Sequence, residues 1–474
     1  MSAFPGSRMF ERPQFAVVIL VTCLFTRLLL FTISRPWVPS NAEEVILQYD
    51  AVGYHALALT LIHHAQFALE EGGEPEALRT PGYPLYIGFL YTIFGEKPWI
   101  VLLSQILLDG ISCLLLFALV EQALSSEIAL YAGLFYALDP HLILYSNHLL
   151  SETLFVFFCV LFFYFFWNSI SRKAGRGQIT YLSWSALFLG MATLVRPVSQ
   201  FLTLVILVII LVLVRGEIRK RLKQVAVFAA VFVLSLSPWL IRNYITFNVL
   251  SLSSAADYNL LLLHVASFET ERRGLQDKRV AQDLLRSEAS DLMREDGLNP
   301  DDLRPYGFIA TRYYRNLAVQ YIRDYPDYFV KHYVTGVLHF FIELDTPNYA
   351  RYLHIPVTEF YVKGHPNIFI LIRNWFSQKT LAEIAIGVCI GLYLVACYTS
   401  VTIGVLAIRN SQYDRVLLYC CAAITLYFAL ITGAAGWARF RVPSIPFYII
   451  FAGIGVASLK SFGGKWVGKV LGRG

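Results

Sequence analysis

The chain has 474 residues, of which 57% are hydrophobic and 15% charged, and its formal net charge is +6. The apolar residues form near-continuous runs and not amphipathic stripes, so this composition excludes a soluble globular protein and indicates a polytopic helical membrane protein. None of the seven cysteines falls in a long polar segment, so neither a disulfide framework nor a Cys-x-x-Cys metal site is indicated.

Apolar runs predict an all-α fold, a helical bundle of about 10 transmembrane helices with interfacial helices and a mainly helical outer domain. The first run resembles a signal peptide but is not followed by a small-x-small cleavage site, so an uncleaved span is expected. The predicted spans are residues 15–33, 99–124, 128–138, 149–170, 179–195, 201–214, 225–241, 381–408, 416–435 and 442–459.

Basic residues gather at the N-terminus, after the fourth, sixth and eighth predicted spans, and at the C-terminus. The positive-inside rule places these segments in the cytoplasm, so both termini are expected there. The other loops would then face the periplasm or exterior of a bacterial inner membrane. These loops are 35–98, 139–150, 196–200, 242–380 and 436–441.

Three parts are expected along the chain: an N-terminal transmembrane module at 1–247 with its outer loop at 35–98, a helical outer segment at 248–380, and C-terminal transmembrane helices at 381–474. In the outer segment, residues 278–295 have apolar positions at helical spacing, and Asn299-Pro300-Asp301-Asp302 is a helix start. Residues 328–342 are apolar but short, which favours a surface helix and leaves an extra span open.

Arginines, with almost no lysine, occupy tight loops on the predicted outer face, where topology disfavours positive charge. A guanidinium binds phosphate oxygens through paired hydrogen bonds, which a lysine cannot do. Singly, each could contact lipid headgroups or cap a helix C-terminus. As a group, their convergence on an anionic ligand is the better explanation. They are Arg79, Arg196, Arg242, Arg439 and Arg441.

Two acids share this predicted face, Asp50 just after the first span and Glu152 at the mouth of the fourth. A carboxylate at an apolar boundary can be tuned as a general base by burial and by neighbouring arginines. The alternatives are a helix N-cap for Asp50 and a first-turn acid for Glu152. Tyr54 and Tyr83 are candidates to line a sugar site, although tyrosine is common at membrane interfaces.

Inside the bilayer, Arg27 and Asp109 lie at similar depth in the first two spans, which predicts a buried structural ion pair. The sequence has no Gly-x-Gly-x-x-Gly, Walker, His-Glu-x-x-His or Gly-x-Ser-x-Gly motif. An energy-rich group is therefore expected to arrive from the membrane and not from a cytoplasmic nucleotide. No nucleic-acid partner is expected.

A series of short motifs follows in a fixed order along the chain. The motifs are Asp50 with Tyr54, Arg79-Thr-Pro-Gly-Tyr-Pro, Ser151-Glu152, Arg196-Pro197, Pro238-Trp-Leu-Ile-Arg-Asn-Tyr244 and Arg439-x-Arg-x-Pro. Their order resembles that of the bacterial GT-C glycosyltransferases, including the aminoarabinose transferase and protein O-mannosyltransferase relatives. The resemblance covers most of the chain, but it is weak over 250–380.

The resemblance implies a polyprenyl-phosphate-linked sugar as donor, with Asp50 as the catalytic acidic residue. Many relatives have Asp-Glu at this point, whereas Ala51 follows Asp50 here. No metal ligand is therefore assigned, no cofactor is certain, and a divalent metal stays open.

The expected function is transfer of this sugar, with inversion, to a glycolipid, glycan or protein acceptor on the non-cytoplasmic face. Asp50 would be the general base, the arginines would hold the phosphate, and Glu152 would position the acceptor or hold the Asp50 loop. A lipid-linked sugar transporter or flippase, and an O-antigen polymerase or ligase, stay open as alternatives. The one-sided distribution of polar residues favours the enzyme, since transporters carry ionisable residues near the midplane.

Overall fold

The computed structural model describes residues 11–171, 176–214, 216–358, 373, 376–408 and 415–470, with backbone only at 176 and 461–470. Over these residues the secondary structure is helical, apart from one isolated β-bridge between Ala68 and Pro75. The predicted all-α fold class is therefore confirmed.

Eight helices in the described part of the chain are long and apolar enough to cross a membrane, or up to ten if two bent helix pairs each count as one span. All eight correspond to predicted spans. The remaining two predicted spans lie in helices shorter than these eight: one is the helix Ser126–Leu138, and the other lies in the apolar helical segment Pro197–Leu213. The eight are Pro13–Ser34, Pro98–Ala123, Glu152–Ser171, Gly177–Val195, Ile218–Phe247, Leu381–Ile408, Arg415–Ala435 and Ala438–Lys460.

Helix Ser126–Leu138 continues into Pro140–Ser146 after a bend of 54°. Asp139 causes the break locally, because its Oδ1 accepts hydrogen bonds from the N–H groups of His141 (2.9 Å) and Leu142 (3.0 Å). The side chain thus caps a new helix that begins with a proline, as helix N-termini commonly do.

The first loop also contains a bent helix pair. Residues Pro39–Ile46 and the helix Asp50–His64 meet at 116°, so Asp50–His64 turns back at the end of the bundle. This helix packs on Gly82–Phe94, which leads to the next span. The geometry places Asp50 at the bundle end, where we expected the loop to lie.

A second hydrophobic cluster, separate from that of the bundle, forms between the span ending at Phe247 and the helix beginning at Leu381. The predicted helix at 278–295 is present, and Asn299 caps a short 3-10 helix as predicted. Residues 328–342 lie in a helix that is not among the long apolar ones. The helices of this part are Ala255–Asn259, Leu260–Val265, Ala266–Arg272, Lys278–Glu295, Pro300–Asp302, Phe308–Asp324, Pro326–Ile342 and Thr346–Tyr352.

This segment is tied to the first loop. Ser254 donates its N–H to the carbonyl of Ala77 (3.0 Å), and the Ser253 hydroxyl donates to the carbonyl of Leu78 (2.5 Å). Arg304 adds an ion pair with Glu74 at 3.1 Å. The segment therefore lies at the same end of the bundle as Asp50.

The predicted buried ion pair is confirmed. Arg27 Nε lies 2.7 Å from Asp109 Oδ2, and the two side chains are 0% and 2% exposed. The Tyr136 hydroxyl donates to the other carboxylate oxygen (2.6 Å), while Arg27 also donates to the carbonyl of Tyr136 (3.1 Å). Because each charge has polar partners besides the other, the pair is well compensated for its burial.

Candidate active site

Asp50 is the first residue of its helix, after Tyr49, whose φ of 50° lies in the left-handed region. Its carboxylate Oδ2 lies 2.7 Å from Arg439 Nη1, and Oδ1 lies 3.7 Å from Arg79 Nη2. The Asp50 side chain is 45% exposed. The carboxylate is therefore held by two guanidinium groups and still open to a ligand. The alternative role of helix N-cap does not apply to Asp50, because the N-cap residue is Tyr49.

Glu152 begins the span Glu152–Ser171 and is 0% exposed. Its Oε1 pairs closely with both Arg196 Nη1 and Arg439 Nε. Arg439 thus bridges the two carboxylates, which belong to elements about 100 positions apart in the chain. Glu152 therefore occupies the first turn of its helix, as the alternative expected, and also contacts two of the predicted arginines.

Ser151 joins the same group of side chains. Its hydroxyl accepts hydrogen bonds from Arg196 (3.4 Å) and from the Tyr54 hydroxyl (3.5 Å). The Tyr54 ring packs edge-on against Tyr83 at a centroid distance of 4.9 Å, and Tyr83 donates to Gln105 Oε1 (2.6 Å). Tyr83 is fully buried, so it supports Tyr54 from behind.

Arg79 completes the cluster from the first loop. Its guanidinium lies over the Tyr54 ring at 5.4 Å and within 4.0 Å of the buried Glu76. Gly53 makes this position possible, because a Cβ atom there would lie 2.6 Å from the Arg79 Cζ atom. A glycine three residues after Asp50 therefore lets the arginine lie flat against the helix that carries the acid.

The electrostatics around Asp50 have opposing causes. Burial raises the pKa of Asp50, but the charge and hydrogen bond of Arg439 and the charges of Arg79 and Arg196 outweigh it and leave this pKa below its ordinary value. Asp50 is therefore ionised at neutral pH. The three guanidinium groups face Asp50 and Glu152, and Glu76 lies 4.0 Å from Arg79, so three positive charges are matched by three carboxylates.

Arg441 points away from this cluster. It is 0% exposed and donates to the carbonyls of Phe340 (2.9 Å), Phe341 (2.6 Å) and Glu343 (2.9 Å), and its Nη2 also contacts His141. These contacts occupy the guanidinium with protein groups. Arg441 thus lies in the same helical turn as Arg439 but does not reach the carboxylates of Asp50 and Glu152.

Arg242 lies near the end of the helix Ile218–Phe247 and contacts the first loop. It donates to the carbonyl of Glu76 (3.0 Å) and lies 4.7 Å from the centroid of the Trp239 ring and 5.6 Å from that of Phe67. It lines a cavity of about 610 Å³ whose other walls are largely apolar. Glu76 separates this cavity from Arg79, so Arg242 and the Asp50 cluster are neighbouring but distinct positions.

No metal site stands out in the described ranges, where no group of three or more His, Cys, Asp or Glu residues could hold an ion. Asp50 and Glu152 share Arg439 between them, and Ala51 provides no second carboxylate.

Two contributors were missed by sequence reasoning. The only sequence feature that marked Gly53 was its position three residues after Asp50. Its contact with Arg79 could not be predicted, because Arg79 lies 26 positions later in the chain. Glu343 accepts a short hydrogen bond from the N–H of Ala438, directly before Arg439. It lies in the segment where the family resemblance is weakest, so no motif indicated it.

The family comparison covers part of the chain. Residues 78–241 match a family model described as dolichyl-phosphate-mannose-protein mannosyltransferase. This range includes Arg79, Glu152 and Arg196 and leaves out Asp50 and Arg439. A search of curated proteins finds no match.

Solved structures match almost the whole chain. The oligosaccharyltransferase AglB from Archaeoglobus fulgidus, in complex with an inhibitory peptide and a dolichol-phosphate, is 12% identical with a TM-score of 0.51, covering 97% of this chain and 52% of that one. The apo form of the Archaeoglobus fulgidus oligosaccharyltransferase is 13% identical with a TM-score of 0.50, covering 95% and 51%. ArnT from Cupriavidus metallidurans, bound to undecaprenyl phosphate, is 12% identical with a TM-score of 0.41, covering 94% and 76%.

This chain spans about half the length of the archaeal oligosaccharyltransferases that it matches. Identities this low establish a shared fold and not a shared activity. The predicted resemblance is confirmed: the chain is a multi-span helical membrane protein with a fold like that of the GT-C glycosyltransferases, and its residues 78–241 are similar to the mannosyltransferase family.

Proposed function

We propose that this protein is an integral membrane glycosyltransferase of the GT-C type. It moves a sugar from a polyprenyl-phosphate donor to a glycolipid, glycan or protein acceptor at the Asp50 end of the bundle, on the non-cytoplasmic face of a bacterial inner membrane. The observation that carries this proposal is the convergence of Asp50 and Glu152 with Arg79, Arg196 and Arg439 at that end.

The arginines support an anionic donor. Guanidinium groups recognise phosphate through paired hydrogen bonds, and three of them converge on the Asp50 and Glu152 carboxylates. Arg79 and Arg439 contact the open carboxylate of Asp50, so a phosphate that reaches Asp50 also reaches them. In the transfer step they would stabilise the charge that builds on the leaving phosphate oxygen.

Asp50 acts as the general base in this proposal. The acceptor hydroxyl or amine attacks the anomeric carbon from the face opposite the phosphate, its proton passes to Asp50, and the bond from the anomeric carbon to the phosphate oxygen breaks. Polyprenyl phosphate leaves with the bonding electron pair, and the anomeric centre is inverted.

Donor binding also adjusts the base. In the free protein, Arg439 and Arg79 hold the pKa of Asp50 low, which makes Asp50 a weak base. A phosphate that draws hydrogen bonds from these two arginines removes part of that stabilisation, so the pKa of Asp50 rises toward the range in which proton transfer is efficient. The base is therefore activated when the donor is in place.

Glu152 holds the cluster together in this account. It is fully buried, and its Oε1 anchors Arg196 and Arg439, while the neighbouring Ser151 contacts Tyr54. These contacts favour the role of holding the Asp50 loop over that of positioning the acceptor. Tyr54, with Tyr83 behind it, would form a wall of the sugar site.

The cavity beside Arg242 supports a lipid-borne substrate. Its lining includes Phe67, Trp239 and Leu85, and it carries a single arginine. A mostly apolar pocket with one cation suits a lipid chain that ends in a polar group. We propose that part of a lipid substrate occupies this cavity while its reacting end lies at Asp50.

The experiment compares a deletion strain with its parent by mass spectrometry of envelope glycolipids and glycoproteins. The deletion is expected to lack one hexose or pentose modification, and the wild-type gene to restore it. Asp50→Asn should restore less than about 1% of it, because loss of a general base costs about 10²–10⁴-fold. Val52→Ala, at an exposed position on the same helix, is the matched control and should restore it fully.

Full restoration by Asp50→Asn at normal protein levels would overturn the assignment of the base. A second assay separates an enzyme from a flippase: the purified protein is mixed with donor and acceptor in detergent. A flippase would form no product under these conditions. Formation of product in detergent supports the enzyme.

A further inference from the structure

The geometry assigns Glu343 a positioning role: together with Arg441, it fixes the first turn of the span Ala438–Lys460, which carries Arg439, and so sets where Arg439 meets Asp50 and Glu152. This inference rests on the proposed function. Glu343 acts through Arg439 and is not a catalytic residue.

Residues Ala438–Arg441 form the first turn of the span Ala438–Lys460. The N–H groups of a first turn have no acceptors within their own helix, so they need partners from elsewhere. This turn follows Gly436, which has a φ of 35° in the left-handed region, and its N-cap Trp437 makes no side-chain capping bond. The start of the turn that carries Arg439 therefore depends on a contact from elsewhere in the chain.

That contact comes from the residues at the end of the helix Pro326–Ile342. The Glu343 carboxylate accepts the N–H of Ala438, the first residue of the turn. Arg441, the last residue of the turn, donates to the carbonyls of Phe340, Phe341 and Glu343. The residues on both sides of Arg439 are thus attached to residues 340–343.

The backbones on either side are also in direct contact. A Cβ atom at Gly336 would lie 2.5 Å from the carbonyl oxygen of Gly433, and a Cβ at Gly436 would overlap the carbonyl of Gly336. This close packing leaves no room for the loop before Ala438 to shift toward the helix Pro326–Ile342. The hydrogen bond from Ala438 to Glu343 therefore joins two segments whose backbones are already in direct contact.

A small displacement of Arg439 would matter, because its two ion pairs join the two carboxylates of the proposed site. A misplacement of about 1 Å can cost about 10²-fold in rate. Glutamine is a close mimic at this position, because its amide oxygen can accept the N–H of Ala438 as the Glu343 carboxylate does.

The test measures kcat and KM for sugar transfer by the purified full-length protein. Glu343→Ala should lower kcat by about 10- to 100-fold with a smaller change in KM, and Glu343→Gln should recover most of the rate. Asp327→Ala, an exposed acid on the helix that leads to Glu343, is the matched control and should match wild type. A Glu343→Gln variant as impaired as Glu343→Ala would overturn the role.

A double-mutant cycle separates positioning from general damage. Arg439→Lys keeps the charge but cannot bridge both carboxylates as a guanidinium does. In that background, Glu343→Ala should cost less than about threefold, since both changes act on one contact. An equal loss in both backgrounds would overturn the inference. Glu343→Asp, which shortens the side chain and keeps the acid, extends the cycle if Glu343→Ala folds poorly.

The same cycle keeps the two proposals apart. If Arg439→Lys transfers sugar at the wild-type rate, the proposed site fails whatever Glu343 does. If Arg439→Lys is impaired and the loss from Glu343→Ala is independent of it, only the positioning role fails.

Discussion

Gly53 gives the sharpest single-atom test of the candidate site. An alanine there would place its Cβ 2.6 Å from Arg79 Cζ and 2.7 Å from Nη2. Ordinary contact between carbon atoms needs about 3.5–4.0 Å, so the guanidinium must move by about 1 Å. Arg79 then loses its place between Asp50, 3.7 Å away, and the Tyr54 ring.

The effect should fall on rate and not on folding. The displaced atoms are the free end of a flexible side chain, and alanine is favoured over glycine in a helix by up to about 1 kcal/mol. We therefore expect Gly53→Ala to unfold in detergent within a few degrees of wild type. Its rate of sugar transfer should fall by about 10- to 100-fold, because the proposed phosphate contact is misplaced.

The assay is kcat/KM for transfer, with thermal unfolding measured on the same preparations. Gly391→Ala is the matched control, since a Cβ there meets no atom within 4 Å. In an Arg79→Ala background, Gly53→Ala should have no further effect. If Gly53→Ala transfers at the wild-type rate while Arg79→Ala is impaired, the position of Arg79 described here is not the one that matters, and the reasoning fails.

Two further predictions concern stability. Arg27→Asp and Asp109→Arg should each cost about 3–5 kcal/mol as single changes, and the exchanged pair should recover part of this in protein yield and thermal unfolding; a pair no better than the singles would contradict the ion pair. Burial and the nearby Glu343 raise the pKa of Asp345 to about 7. Between about pH 4 and 7, Asp345 therefore stays protonated in the folded state but is ionised in the unfolded state. The free energy of unfolding falls as pH rises through this window. Asp345→Asn should remove this fall, making the variant more stable relative to wild type at pH 8 than at pH 5; an equal difference in unfolding temperature at both pH values would contradict the assignment.

Sequence reasoning succeeded where the depth of a residue in the bundle follows from its distance to the end of its predicted span. Arg27 and Asp109 were paired because equal distances from the ends of neighbouring spans imply equal depth. Asp50, Glu152, Arg196 and Arg439 come together for a related reason. Each lies at the end of an apolar helix or in a loop on one side, and packing the helices brings those ends together.

Sequence reasoning did not separate Arg441 from Arg439. The two lie in a helix, where residues two positions apart point to nearly opposite sides. The Arg-x-Arg spacing would have predicted this divergence, but a loop was expected there. Arg439 therefore reaches the carboxylates, whereas Arg441 turns to the carbonyls of residues 340–343.

Gly53 and Glu343 could not be assigned from the sequence for a different reason. The role of Gly53 depends on the side chain of Arg79, which comes from beyond the next turn of the chain. Glu343 contacts the backbone N–H of Ala438, 95 positions away. No local periodicity encodes such a contact. Only the packed arrangement of the first loop, the segment before Leu381 and the last span reveals it.

The location of the donor phosphate tests the central claim most directly. A structure of the full-length protein with bound polyprenyl phosphate should place the phosphorus atom within hydrogen-bonding reach of Arg79 and Arg439, next to the Asp50 carboxylate. A phosphate held elsewhere, with the ion pairs of Arg439 to Asp50 and Glu152 unchanged, would contradict the account.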